Sequence, residues 1–567
     1  MKSVFPHIIP EITEWPIHKL HNDREGFVKG LNAYAKDRLL SNTKMTKLEL
    51  LEKTIYLEKI RVKNNPWRVD PADDKTHWSD LQKEITAAKG RSDQEEMLDL
   101  ILDRVINRYN EEIVGNFKKK TFLFARRFLT SFFKKLLNPA TGKGQRRFWG
   151  SRKNVQSRIK VDGSVKELRA LFEKGTVVIV PTHFSNLDSA IIGYSLDAVV
   201  GVPAFSYGAG LNLYDMELVA YLINRLGAYR VDRRKKNPIY LECLKSMASH
   251  SIQRGLNQIF FPGGTRSRSG SLEDRLKLGL LGSVVEAQRK SIVEESGQKI
   301  FVVPMILGYH FVLEGKFLID QHLRSLSREK YRRSKDQFKS YRKIFKFIRS
   351  VFKKQGDITI SFGEPMDAFG NAVDIEGNSL DKKGELLDIS GYFKIDDKLT
   401  TEQQREKVYT KILGDRIVDS YRRNNVVLSS HIIAYTAFNI LLAQRPKQSL
   451  YDVLNTQAEE FSISKEEFLE KMNLMLVLLR KEEKEGNLRL AEELNGSVES
   501  IIEHGLDNLG IYHVSKVLRK DKEGNIKTDD IRLLYFYHNR MDCYDLISNP
   551  RWQRKIEETP IPESNLV

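Results

Sequence analysis

Five short apolar stretches alternate with helical stretches between residues 148 and 393, and this alternation limits the fold more than any other feature of the chain. The stretches are residues 177–180, 199–204, 257–261, 301–307 and 358–362. Their length and their β-branched and aromatic side chains are typical of strands buried in a sheet. Strands separated by helices form a mostly parallel sheet covered by helices on both faces. The sequence therefore predicts an α/β domain over residues 146–395.

The regions on either side carry a helical pattern. Residues 46–63 and 93–115 repeat apolar side chains at helical spacing, and the chain is mostly helical again after Thr401. Polar side chains interrupt the apolar stretch 426–443, which favours a buried core helix over a membrane span. Residues 366–400 are rich in Gly and Asp and predict an extended loop. We therefore expect helical domains over residues 1–145 and 396–567.

A His and an Asp stand five positions apart where the first strand of the series ends. His183 follows residues 177–180 and Pro181, and Asp188 opens the next helical stretch. In open α/β sheets the chemistry collects at the carboxyl ends of the strands. The Asp can hold the imidazole in one tautomer while the other ring nitrogen takes a proton from a hydroxyl. Taken alone the pair is weak evidence, since a capping Asp and an incidental loop His give the same pattern.

A glycine-rich turn with two arginines follows another strand. Residues 260–270 read FFPGGTRSRSG, with Arg266 and Arg268 between glycines. Glycines let backbone amides approach an anion, and guanidinium groups bind phosphate oxygens in pairs. A solvated turn is the alternative, but the preceding strand favours a phosphate site.

The charge of the chain indicates an anionic partner. Its formal net charge is +18, which suits nucleic acid, an anionic membrane surface or a phosphorylated substrate. Neither a zinc-finger spacing nor an RNA-recognition signature is present, so nucleic acid is not expected. The two cysteines indicate a reducing compartment, and the first residues lack a secretory apolar segment. We therefore expect a cytoplasmic protein.

Two basic segments are candidates for contact with anions. Residues 117–137 combine six phenylalanines with seven basic and no acidic side chains, a composition typical of helices that lie on anionic bilayers. A basic helix packed on its own domain is the alternative. Residues 320–354 are also strongly cationic and could contact lipid headgroups, dock an acidic acyl carrier protein or form a solvated face.

Four stretches, in order, resemble the four blocks of the glycerolipid acyltransferase family. They are residues 183–188, 227–233, 261–270 and 302–309. Three smaller matches support the resemblance: Ser185 two residues after the His, Leu276-Lys-Leu-Gly after the third block, and Gly363-Glu-Pro-Met after the last strand. The layout is similar to the glycerol-3-phosphate 1-O-acyltransferase branch, related to the dihydroxyacetone-phosphate acyltransferases. The likeness covers residues 165–370, and more weakly 400–545.

The resemblance implies transfer of an acyl group from acyl-CoA or acyl carrier protein to glycerol 3-phosphate, on the inner face of the membrane. It implies a general base, His183, oriented by Asp188, without a metal or cofactor. Substrate contacts would come from the side chains of the four blocks and from backbone amides near a glycine. These residues are Ser185, Arg233, Gly264, Arg266, Arg268 and Lys277. An acylated Ser185 is the alternative mechanism.

One position departs from the family pattern. The third block usually carries a glutamate where this chain has Gly263, between Pro262 and Gly264. The missing carboxylate puts acceptor affinity, acceptor choice or activity in doubt. Lysophosphatidate or dihydroxyacetone phosphate therefore remains an alternative acceptor. A non-catalytic membrane-surface protein of the same fold and a basic nucleic-acid-binding protein also remain open. The sequence leaves the oligomeric state undetermined.

Overall fold

The computed structural model describes residues 5–137, 159–211, 217–326, 357–395, 398–399 and 403–553. Most of the second basic segment, residues 327–354, lies outside these ranges. Among the described helices, none combines the length and apolarity needed to cross a bilayer.

A mixed, mostly parallel sheet of ten strands forms the centre of the fold, as predicted. Strand β2 lies between β5 and β6 and is parallel to both, with Val178 opposite Gln258 on one side and Val302 on the other. Strands β3 and β4 continue the parallel part, whereas β7 and β8 run antiparallel to β6. The strands are β1 Ile159–Gly163, β2 Gly175–Pro181, β3 Ser206–Gly210, β4 Ala228–Val231, β5 Gln258–Ile259, β6 Lys299–Tyr309, β7 Ile358–Phe362, β8 Met366–Asp367, β9 Ala372–Val373 and β10 Ser379–Leu380.

Six helices connect the strands of the sheet. They are α7 Val165–Leu171, α8 Asp188–Ser195, α9 Glu217–Arg225, α10 Pro238–Gln253, α11 Leu278–Val293 and α12 Gly315–Leu326. Helices α1 to α6 precede strand β1 in the chain. Asn237 caps α10 by accepting from the amide of Tyr240, and Pro238 occupies its first turn. Both features are typical of helix starts and fix where α10 begins.

Four of the amino-terminal helices, α2 to α5, form a second core with α10. The amino-terminal helices that the structure describes are α1 Pro16–Asn22, α2 Arg24–Asn42, α3 Lys47–Asn64, α4 Asp74–Ala88, α5 Gln94–Ile113 and α6 Lys119–Leu137. Buried side chains of α2 to α5, including Trp78 and Tyr109, pack with Tyr240 and Met247 of α10 in one cluster. The helical bundle therefore covers one face of the sheet.

The carboxyl-terminal helices share the core of the sheet itself. They are α13 Gln403–Arg423, α14 Ser429–Gln444, α15 Leu450–Asn455, α16 Lys465–Lys484, α17 Val498–Asn508, α18 Ile531–His538 and α19 Pro550–Gln553. Helix α14 is buried along almost its whole length, which confirms the core helix predicted over residues 426–443. Its side chains belong to the same apolar cluster as β2 and β6. The expected domain boundaries near residues 145 and 395 lie in or beside undescribed stretches and stay predictions.

The strand predicted over residues 199–204 was wrong. A short π-helix, Leu196–Val200, continues α8, and β3 begins only at Ser206. The amino-terminal arm, residues 5–8, uses the hydrogen-bonding groups of this backbone. The amides of Phe5 and Ile8 donate to the carbonyls of Val199 and Gly201 at 2.8 Å. Gly201 is left-handed, with φ of 73°, and a side chain there would collide with the arm.

The loop predicted over residues 366–400 contains short strands instead. Strands β8, β9 and β10 extend the sheet beyond β6, and β11 Lys394–Ile395 pairs with β12 Lys398–Leu399. Asp side chains fold the tight turns between them, as Asp367 does by accepting from the amides of Phe369 and Asn371. The many Gly and Asp residues therefore form hairpin turns. A further hairpin lies near the carboxyl terminus, where β13 Arg519–Lys520 pairs with β14 Ile526–Lys527.

Helix α6 confirms the helix predicted over the first basic segment. Some of its side chains are buried against the protein, and others are exposed to solvent. Ala125 is buried, and Arg126 donates to Asp197 at 2.6 Å. On the outside, Phe124 and Phe128 are 58% and 57% exposed, next to the exposed Arg127. One face of α6 therefore packs on the protein, while the other presents two aromatic rings and a cation.

Candidate active site

The turn between β2 and α8 folds His183 and Asp188 onto each other. Nδ1 of His183 lies 2.7 Å from Oδ2 of Asp188, which also accepts from the amides of Phe184 and Ser185 at 2.7 and 2.9 Å. The other carboxylate oxygen accepts from the hydroxyl of Tyr309 at 2.6 Å. The Asp188 side chain is fully buried, so its charge depends on these donors. It fixes the imidazole with Nε2 left to exchange a proton with a substrate.

The backbone of His183 is held by the glycine-rich turn. The amide of Ser267 donates to the His183 carbonyl at 2.7 Å, and the His183 amide donates to Oε1 of Glu273 at 2.9 Å. The ring of Phe261 lies 4.5 Å from the imidazole, which remains 20% exposed. The first and third blocks thus form one site.

Glu314 joins the first and third blocks from a different part of the chain, immediately before α12. It accepts from the hydroxyl of Ser185 and the amide of Asn186, both at 3.0 Å, and lies 3.5 Å from Arg266. Ser185 is buried, with its hydroxyl directed to Glu314 rather than to His183. A contact between Ser185 and substrate therefore stays a prediction, and this geometry favours a structural role.

Two of the predicted substrate-binding cations meet at Gly264. The guanidinium of Arg233 donates to the Gly264 carbonyl, and the side chain of Lys277 crosses the same glycine. A Cβ at Gly264 would lie 2.5 Å from Cδ of Lys277, and the backbone there is left-handed, with φ of 71°. The amide of Gly264 donates to the Phe261 carbonyl at 2.9 Å. The turn itself uses this amide, and the expectation that backbone amides near Gly264 contact a substrate stays a prediction.

The two arginines of the turn lie apart from this pair. Arg266 is close to Glu314, whereas Arg268 is exposed beside α12. Burial, with added repulsion from Arg268, lowers the pKa of His322 on that helix. The structure thus brings Arg233 and Lys277 together at Gly264. Glu314 links Arg266 to the His183 turn, and Arg268 lies apart from these residues.

An apolar cavity of about 330 Å³ opens beside His183. Two of its lining residues are Asn186, which belongs to the His183 turn, and Phe261, whose ring contacts His183. Helix α6 contributes Phe122, Phe124, Ala125, Phe128 and Leu129; α8 contributes Ala190, Gly193 and Tyr194; α9 and the residue after it contribute Leu222, Ile223 and Leu226. The cavity therefore runs from the candidate base to the exposed face of α6.

The carboxyl-terminal region supports the turn from behind, through a residue whose role sequence reasoning missed. Arg540 is buried, and its guanidinium lies 4.3 Å over the ring of Phe184. It donates to the Leu307 carbonyl at 2.7 Å and to Oδ1 of Asn425 at 2.8 Å. Burial lowers the pKa of Arg540 to about 10. No local sequence pattern indicates this contact, whereas Tyr309 belongs to the fourth block.

One group among the described residues has the composition of a metal site. The ligand atoms of His310, Glu493 and His504 lie within 4.8 Å of one another. The hydroxyls of Ser430 and Ser429 contact Nδ1 of the two histidines at 3.0 and 2.8 Å. Burial lowers the pKa of His310 to about 4 and keeps this imidazole neutral. The group lies outside the His183 turn, and the expectation of a reaction without a metal stays a prediction.

Part of the chain is similar to known acyltransferases. Residues 158–308 match the Acyltransferase family model. The glycerol-3-phosphate acyltransferase of Ectopseudomonas mendocina is 30% identical over 184 residues, 32% of this chain and 21% of that protein. That of Pseudomonas paraeruginosa is 25% identical over 224 residues, 39% of this chain and 24% of that protein. The chain thus spans about a quarter or less of the length of these relatives.

A solved structure is also similar to the chain. The 1-acyl-sn-glycerophosphate acyltransferase of Thermotoga maritima covers 66% of this chain and 96% of its own, at 15% identity and a TM-score of 0.25. At that score the likeness adds nothing to the topology described above. The family model, these relatives and the four ordered blocks agree, and residues 158–308 are similar to the acyltransferase domain of glycerolipid acyltransferases.

Proposed function

We propose that this protein transfers a fatty acyl group from a thioester, acyl-CoA or acyl carrier protein, to a hydroxyl of glycerol 3-phosphate. The observation that carries the proposal is the position of the His183–Asp188 pair. The pair lies between an apolar cavity, through Phe261, and the cationic turn of the third block, through Ser267. One side suits an acyl chain and the other a phosphate. The relatives named glycerol-3-phosphate acyltransferases support this choice of acceptor.

The chemistry requires a base at the acceptor hydroxyl. An alcohol is too weak an acid to ionise near neutral pH, so its proton must leave as the oxygen attacks the thioester carbonyl. Nε2 of His183 accepts that proton, while Asp188 stabilises the imidazolium through Nδ1. The tetrahedral intermediate then expels the thiolate, which recovers the proton. Both substrates are bound together, so no acyl-enzyme forms.

An acceptor panel tests the proposed function. Thioester release is measured with glycerol 3-phosphate, dihydroxyacetone phosphate and lysophosphatidate, each with acyl-CoA and with acyl carrier protein. We expect glycerol 3-phosphate to give the highest kcat/KM. A preference for another acceptor would reassign the substrate. Absence of release with every pair would favour the non-catalytic alternative.

The cationic turn should determine acceptor binding. Arg233→Ala and Arg266→Ala each remove a guanidinium from the third-block region, and we expect the acceptor KM to rise about 10- to 100-fold, as for one charged hydrogen bond. The donor KM should stay unchanged. Arg275→Ala, an exposed arginine of the same turn, is the matched control. A raised donor KM with a normal acceptor KM would place the two arginines on the thioester side.

The apolar cavity should select the length of the acyl chain. Gly193 lines it, and a Cβ added there would meet no atom within 4 Å. Gly193→Leu should therefore place a side chain in the cavity without a backbone clash and shift the preferred donor to shorter chains. Gly193→Ala is the size control and should keep the wild-type preference. Both are measured as kcat/KM over a series of acyl-CoA lengths; an unchanged profile for Gly193→Leu would exclude the cavity as the acyl site.

We also propose that α6 holds the protein on an anionic membrane surface. The exposed rings of Phe124 and Phe128 adjoin the exposed Arg127 and line the acyl cavity. Each basic residue near such a surface contributes about 1 kcal/mol to binding. A chain entering from the bilayer would therefore reach the cavity at this helix.

Vesicle sedimentation tests the membrane proposal. We expect binding to rise with the fraction of anionic lipid, to fall with salt, and to weaken in the variant Phe124→Ser/Phe128→Ser/Arg127→Glu. Arg480→Glu, an equal charge change at an exposed position of α16, should bind as wild type. Arg126 is left intact because it pairs with Asp197. Equal binding by the triple variant and wild type would show that α6 only packs against the protein.

A further inference from the structure

A carboxylate outside the four blocks lies in the active site. Oε1 of Glu273 accepts from the amide of His183 at 2.9 Å. Although the residue as a whole is partly exposed, its Oε2 atom is shielded from solvent and has no hydrogen-bond partner among the described residues. A buried carboxylate oxygen without a donor is costly, and such an atom requires an explanation, for example a catalytic role or a bound ligand. Glu273 therefore needs an explanation beyond the fold.

The same carboxylate fills the space at the position where the family pattern is broken. A Cβ added at Gly263 would lie 3.1 Å from Cγ of Glu273 and 3.2 Å from its Oε1. Gly263 is not among the left-handed glycines, so crowding by the Glu273 side chain rather than backbone conformation opposes a side chain there. In this chain the carboxylate next to position 263 therefore comes from residue 273.

The electrostatic surroundings agree with a carboxylate that awaits a donor. Burial raises the pKa of Glu273 to about 7, against the opposing effects of the His183 amide and the Arg540 guanidinium. Burial, together with the charge of Glu273, raises the pKa of Tyr421. His183, Arg540 and Tyr421 are thus the titratable groups that interact with it. A hydroxyl donor from a substrate would stabilise the ionised form.

We propose that Glu273 replaces the carboxylate absent at Gly263, with Oε1 positioning the backbone of His183 and Oε2 accepting from the second hydroxyl of the acceptor. The inference rests on the proposed function. Glycerol 3-phosphate carries a hydroxyl next to the reacting one, while its phosphate faces the cationic turn. Since Glu273 contacts the backbone of the base and adjoins Gly263 of the third block, it lies where that neighbouring hydroxyl is expected.

The first experiment compares two acceptors. Glycerol 3-phosphate and 3-hydroxypropyl phosphate, which lacks the second hydroxyl, are assayed with wild type, Glu273→Ala, Glu273→Gln and the exposed control Asp274→Asn. Wild type and the control should prefer glycerol 3-phosphate by about 10- to 100-fold in kcat/KM, the effect of one charged hydrogen bond. Both Glu273 variants should lose this preference. Glu273→Gln keeps an oxygen for the His183 amide, so it separates substrate recognition from folding.

The second experiment places a carboxylate at position 263, where the family pattern has it, and removes the one at position 273. Gly263→Glu alone should impair activity, because two carboxylates would then share one space and repel each other. The double variant Gly263→Glu/Glu273→Ala should be more active than either single variant and should recover the preference for glycerol 3-phosphate. Such a coupling is expected only for side chains that occupy the same site. Thermal transitions by circular dichroism identify any variant that fails to fold.

The outcomes separate this inference from the proposed function. Wild-type protein that transfers no acyl group to any acceptor would overturn both. An active wild type with unchanged discrimination in Glu273→Gln would overturn this inference alone. A double variant less active than both single variants would likewise show that Glu273 does not substitute for a carboxylate at position 263.

Discussion

Replacing His183 by alanine is expected to lower acyl transfer by about 10²- to 10⁴-fold, the range for losing a general base. The side chain is 20% exposed and its ring contact with Phe261 is tilted, so its removal should leave the thermal transition close to wild type. Asp188→Asn should cause a comparable loss, because a neutral amide cannot stabilise the imidazolium. Its fold should survive if the amide nitrogen faces the Tyr309 hydroxyl, which can then accept instead of donate.

The control for this experiment is Ser185→Ala. An acylated Ser185 would make that variant as inactive as His183→Ala, whereas a hydroxyl that only contacts Glu314 predicts a much smaller loss. Thioester release with glycerol 3-phosphate measures all three variants. Turnover near wild type in well-folded His183→Ala would contradict the general-base mechanism.

Arg540→Ala is expected to destabilise the protein by about 3–5 kcal/mol, a large share of the net stability of a typical domain. The change leaves the Leu307 carbonyl and Oδ1 of Asn425 without this buried donor and removes the cation above Phe184. Because Phe184 donates to Asp188, activity should fall even at temperatures where the variant is folded.

Urea denaturation and assays well below the thermal transition measure these two effects. Arg519→Ala removes an exposed arginine from the same region, where its ion pair with Asp529 should contribute about 1 kcal/mol or less. A denaturation midpoint of Arg540→Ala equal to that of Arg519→Ala would show that the buried contact is not needed for stability.

The parts of the fold that local sequence determines could be predicted. The strands around Val178 and Val302 are continuous apolar runs, and His183 and Asp188 are close enough in sequence for one turn to join them. The error at residues 199–204 has the same origin, since a short apolar run has no period that separates strand from helix. In this segment the backbone conformation depends on the amino-terminal arm, which binds Val199 and Gly201.

The supporting residues of the site could not be predicted because their partners are distant in the chain. Glu314 lies 128 residues from Asn186, and Glu273 lies 90 residues from His183. No local pattern distinguishes these glutamates from the 75 acidic residues of the chain. The departure at Gly263 was visible, but the carboxylate beside it could be found only in three dimensions.

The contact between Arg540 and Phe184 has a consequence for the order of events during synthesis. Roughly 350 residues separate the two, so a ribosome adding about 5–20 residues per second needs about 20–70 s between them. During that interval the base and its Asp are already outside the ribosome, but the cation behind their turn has not been made. A nascent chain should therefore be unable to consume thioester. We expect ribosome-bound chains stalled before Arg540 to be inactive, even when β2, β6 and the helices between them have folded.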